Sequence, residues 1–96
     1  MKVTRDLVNQ IIHVQLGSTP VHDSDPLTAD VIADYDSEGA LVGLELLLTP
    51  ASALAALVRL ASSRPDLRDS LTQARAAIAC ELAQGSTTVE LRAGDQ

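Results

Sequence analysis

Three side chains of this 96-residue chain could do chemistry if strand periodicity gathers them: His13, Asp34 and Glu45. Each lies in a segment rich in aliphatic and β-branched residues, where successive side chains alternate between two faces. With the strands adjacent and in register, one imidazole and two carboxyls would share a sheet face. Such a set could form a His–carboxylate metal site or an acid–base pair. The plainer reading is simply the wetter face of a sheet. Ile11, Ile32 and Leu41 fall on the same side and suggest partial burial rather than a cleft, and Glu45 can serve the backbone of a neighbouring loop. No ligand set has a diagnostic spacing, so no catalytic, cofactor-binding or metal-ligating residue is assigned.

The other candidates are weaker. His22-Asp23-Ser24-Asp25 is metal-capable, but neither His nor Cys recurs at the spacing zinc requires. Asp36-Ser37-Glu38-Gly39 resembles a calcium loop only in acidity and lacks the twelve-residue ligand ladder. Cys80 falls mid-helix, away from the terminal dipole that activates thiols, and reads as a small buried or interfacial residue. No G-x-S-x-G, phosphate-binding loop or dinucleotide glycine fingerprint occurs. The expectation is a non-enzymatic protein without a cofactor.

The positioning elements follow from period and punctuation. Lys2 to Arg5 and Gln10 to Leu16 read as strands, the second closed by Gly17. Residues 17–26, with two prolines and several turn formers, read as a loop. Ala29 to Asp36 and Ala40 to Leu48 read as the arms of a hairpin around D-S-E-G, with Gly39 at positive φ and Asp36 bonding the turn backbone. In the returning arm Val42, Leu44, Leu46 and Leu48 share a face opposite Gly43 and Glu45.

After residue 48 the period becomes helical. Thr49-Pro50 is an N-cap followed by proline at the first helical position. Leu54, Leu57, Val58 and Ala61 form an apolar stripe to about Ser62, widened by Ala53, Ala56 and Leu60. Pro65 opens a second helix to about Ala83, with Leu67, Leu71, Ala74, Ile78 and Leu82 on one face and Gly85 as C-cap. The tail alternates at Thr87, Val89 and Leu91, enough for one more strand. The predicted fold is α+β: a four-stranded antiparallel meander followed by two amphipathic helices packed on it, in one domain.

Composition narrows the classes of function. The net charge is −6, which opposes nucleic-acid phosphates. Residues 1–48 hold eight carboxylates against Lys2 and Arg5, whereas the helical half is nearly neutral. With no Phe, no Trp and one Tyr, the core must be aliphatic. Its apolar helices suggest a homodimer through helical surface, with Leu60 buried between copies. The start shows no apolar leader, no segment is long enough to span a bilayer, and the lone cysteine fits a reducing compartment. A cytoplasmic location is expected.

Met1-Lys2-Val3-Thr4-Arg5-Asp6, Ile11 to Leu16, and above all Val31-Ile32-Ala33-Asp34-Tyr35-Asp36 with Gly39, Val42-Gly43 and Glu45 carry a resemblance. Over residues 1–48 the chain resembles a family of short bacterial proteins known as domain of unknown function 2283. Its pattern runs M-K-V-x-Y-D, then L-Y-I-x-L, then V-I-x-D-Y-D-x-x-G-x-x-V-G-x-E-x-L. Arg5 and Ile12 stand where that pattern has tyrosine. The resemblance implies a compact β-rich unit without an assigned activity. Some relatives look like partners of small toxin-like proteins, which implies an antitoxin-like role. The favoured expectation is a protein-interaction module, antitoxin-like or regulatory. The alternative is a small metal- or ligand-binding protein, or a weak enzyme, using His13, Asp34 and Glu45.

Overall fold

A computed structural model describes residues 1–83 and the backbone of residues 89–90. Five antiparallel strands come first: β1 (Lys2–Asp6), β2 (Ile11–Gln15), β3 (Asp23–Thr28), β4 (Val31–Tyr35) and β5 (Leu41–Leu46). They are followed by helix α1 (Pro50–Ser63), a 3₁₀ turn (Pro65–Leu67) and helix α2 (Arg68–Ala83). A two-residue strand, β6 (Val89–Glu90), lies parallel to β1. The expected Gly85 cap and most of the expected tail strand lie outside the described residues. The fold is α+β, as the change of period from two to 3.6 predicts.

The strand count and order correct the expected four-stranded meander. The sheet runs β3-β4-β5-β2-β1-β6, so β5 returns between β4 and β2. Strands β2 to β5 thus have the spatial order of a Greek key read backwards. The loop expected over residues 17–26 contains most of β3. This strand is acidic and exposed, with Pro26 inside it. Proline is tolerated there because β3 is an edge strand, and Asp23 and Asp25 discourage further pairing. Ala29 and Asp30, expected in the hairpin arm, form the turn from β3 to β4 instead. Thr28 Oγ1 accepts from the N–H groups of both Asp30 and Val31, each at 3.1 Å.

The D-S-E-G hairpin is as expected. Gly39 has φ +83°, and Asp36 Oδ1 accepts from the N–H groups of Glu38 and Ala40 at 2.9 Å. These bonds, the Ala40 one foremost, hold the Asp36 carboxyl below its ordinary range. One residue later the period-two reading fails. Asp34 pairs with Gly43 but Tyr35 pairs with Leu41, leaving Val42 as the extra residue of a bulge. The Val42 carbonyl accepts from both Leu16 N–H (2.8 Å) and Gly17 N–H (3.1 Å). Leu41, expected on the outer face, therefore packs against the core cluster.

That cluster is aliphatic. Val14, Val31, Ala33, Leu44 and Leu46 from the sheet, with Ala53, Leu57, Leu71 and Ala74 from the helices, are fully buried in it. Thr49 caps α1 by accepting from Ser52 N–H at 3.3 Å, with Pro50 next. The buried stripe of α1 is Ala53, Ala56, Leu57 and Leu60. It is rotated from the expected one, leaving Val58 exposed and Leu54 only partly covered. Leu60 is buried within its own chain, so its burial does not require a second copy. In α2, Leu71, Ala74 and Ile78 are buried as expected, whereas Leu82 and Cys80 are exposed. Arg64 caps α1 and pairs with Asp66 at 2.9 Å.

Candidate functional site

The outer face of the sheet carries the polar residues that alternate with the core. In register, Thr4 lies opposite His13, His13 opposite Glu45, Asp34 opposite Gly43, and Ser24 opposite Asp34. His13, Asp34 and Glu45 are thus brought together, and the strand order is the reason. In the expected four-stranded meander, which lacks β3, β5 would lie outside β4, with Glu45 two strands away from His13. With β5 in the middle, Glu45 has His13 on one side and the strand of Asp34 on the other.

Gly43 allows the closest approach. His13 Nε2 and Asp34 Oδ2 stand 3.9 Å apart. A Cβ at position 43 would lie 3.3 Å from that oxygen and 3.4 Å from that nitrogen. Glycine leaves the space above the middle strand open, so two side chains on non-adjacent strands face each other over it. Asp34 is only 3 % exposed, and its Oδ1 accepts from Ser24 Oγ at 2.6 Å. The 3.9 Å contact to the imidazole is too long for a hydrogen bond.

Burial, and next the adjacent Asp34 carboxyl, raise the Glu45 carboxyl above its ordinary range. Two carboxyls sharing a site resist ionising together. Thr4 is 5 % exposed, and its Oγ1 has no hydrogen-bond partner among the described residues. These groups line an open cleft of about 460 Å³, with Ile11 and Val21 supplying apolar wall. The expectation of a partly covered wet face without a cleft is corrected here. The bulge turns Leu41 inward, and the loop before β3 places Val21 at the rim instead. Among the described residues, no three His, Cys, Asp or Glu side chains converge to hold a metal ion.

Sequence reasoning missed Thr4, Ser24 and Gly43. Thr4 was legible as a polar residue alternating with Val3 in the first strand. Ser24 was hidden by the loop-like composition of β3. Gly43 looked like an interruption in an apolar arm, and only its neighbours across two strands show what its missing side chain permits. His22 and the acidic turn at Asp36 lie outside the residues lining the cleft.

No helix among the described residues is long and apolar enough to cross a membrane. No curated protein and no solved structure matches the chain. All the cleft residues lie between Thr4 and Glu45. Residues 2–48, the segment that builds the five antiparallel strands and the whole cleft, match the family model described as protein of unknown function (DUF2283).

Proposed function

We propose that this chain is a non-enzymatic binding module whose recognition site is the cleft on the outer sheet face. The observation that carries the reading is Thr4, a residue of the cleft wall whose buried Oγ1 has no partner among the described residues. A buried hydroxyl without a hydrogen bond costs about 1–3 kcal/mol, a cost an occupant would offset. The non-enzymatic part is supported by the loose His13–Asp34 contact and by Ser24, whose hydroxyl is directed to Asp34. Both of the functions expected from sequence use such a site, one for a side chain of a partner protein and the other for a free molecule. An antitoxin-like or regulatory role in a bacterial cytoplasm is consistent with a domain that binds without turnover. Titrating a set of small polar compounds into the ¹⁵N-labelled chain tests the reading. Shifts should centre on the amides of Thr4, His13, Asp34 and Glu45; shifts confined to α1 and α2 would overturn it.

A homodimer through the helices is the second reading. Val58 is 48 % exposed, and it lines a groove with Arg68 and Arg75. Sedimentation equilibrium at micromolar concentration decides it, with a stable monomer ending the idea.

A further inference from the structure

We infer that the outer-face cleft takes an organic cation, a primary ammonium or guanidinium on an aliphatic stem, held by Asp34, Glu45 and Thr4 Oγ1. The inference rests on the binding reading above and adds the chemistry of the occupant. Asp34 and Glu45 stand in one cleft, whose lining also includes Asp6, and no Lys or Arg among the described residues pairs with Asp34 or Glu45. Asp34 Oδ1 is engaged by Ser24, while Oδ2 is directed toward an imidazole beyond hydrogen-bond reach. At 3 % exposure that carboxyl is largely withdrawn from water, and the imidazole 3.9 Å away, positive only when protonated, leaves room for a group of permanent positive charge.

Thr4 Oγ1 independently points to a ligand. It is 95 % buried, belongs to the wall of the same cleft and accepts or donates nothing among the described residues. Its lone pairs are unused among the described residues, and ammonium and guanidinium groups are rich in donors. Ile11 and Val21 offer the apolar wall along which an alkyl stem lies. A metal ion fits less well, since the described residues present no convergent set of three ligands. An anion is opposed by the carboxyl pair and by the net negative charge of residues 1–48.

The test uses the full chain with three probes: agmatine, N-acetyl-arginine methylamide and its neutral isostere N-acetyl-citrulline methylamide. Both cations should shift the Thr4, His13 and Glu45 amides, and the citrulline compound should bind at least about tenfold more weakly. Tighter agmatine binding would indicate a free amine, and tighter arginine-amide binding a partner's side chain; both support the inference. Glu45→Gln keeps the shape and should weaken both cations by about tenfold, and Thr4→Val by roughly threefold, in chains whose spectra remain folded. Equal binding of citrulline and arginine, or no effect of Glu45→Gln, would overturn the inference. So would zinc or manganese chloride alone saturating the same resonances. A neutral or anionic compound preferred in the cleft would refute the charge assignment and leave the binding module intact. If no compound perturbs the cleft, both readings fall.

Discussion

On the inner face of the sheet, Val14, Val31, Ala33, Leu44 and Leu46 are fully buried in an aliphatic cluster. On the outer face of the same strands stand Thr4, His13, Asp34 and Glu45 around an open cleft. The strands and backbone bonds are shared; only the alternate side chains differ. The inner face removes apolar area from water, each large aliphatic side chain contributing about 1.5–3 kcal/mol. The outer face does the reverse, withdrawing a carboxyl and a hydroxyl from water without full compensation. Stability comes from one side of each strand, and the cost of a binding site is carried on the other.

The largest test of that contrast is Leu44→Ala. Leu44 is fully buried on the central strand, so truncation should cost about 2–5 kcal/mol in a urea titration. A loss below that range would mean that the inner face does not dominate stability. Gly43→Val, one residue earlier on the opposite face, should cost about 1–3 kcal/mol through overpacking, because its Cβ already meets Asp34 and His13. The same variant should move the His13 ring resonances. An unchanged ring spectrum would show that Gly43 does not set the approach of the two side chains.

Gly39→Val tests the turn that joins the two faces' shared strands. At φ +83° a β-branched residue is strained, and the loss should be on the order of 1 kcal/mol. Thr4→Val should have the opposite sign. It removes an unpartnered buried hydroxyl and should stabilise the chain by about 1 kcal/mol while weakening the site. A destabilised Thr4→Val chain would mean that the hydroxyl is satisfied in solution.

The smallest effect is a change of slope with pH. Glu45 has a raised carboxyl pKa, so the folded chain binds its proton more tightly than the unfolded chain. Stability from this group is present below its ordinary value of 4.5 and is lost as pH rises through the folded value. Glu45→Gln should flatten that decline. Asp36, lowered chiefly by the Ala40 N–H, works the other way: its contribution is present above 3.8 and lost as pH falls. Melting curves of Glu45→Gln and Asp36→Asn, followed from below 3.8 to above 4.5, should therefore depart from the parent in opposite directions as pH rises. Parallel departures would separate the site from the carboxyl chemistry assigned to it.

Local pattern determined much of this protein. The D-S-E-G turn, the positive φ at Gly39, the cap at Thr49-Pro50, the apolar face of α2 and the alternation of β2 each depend on residues a few positions apart. The candidate trio His13, Asp34 and Glu45 was legible because period two puts each on the polar side of its own strand. Tertiary structure alone decided that the trio meets. Insertion of β5 between β4 and β2 is a choice among long-range pairings, to which side-chain alternation is indifferent. It likewise decided that Asp23–Thr28 is a strand, since an acidic, proline-containing segment becomes an edge only when β4 offers it a free row of backbone groups. The bulge at Val42, the rotation of the buried stripe on α1 and the open space over Gly43 have the same origin. Each is set by what the neighbouring strand or helix leaves room for, and no window along the chain contains that neighbour.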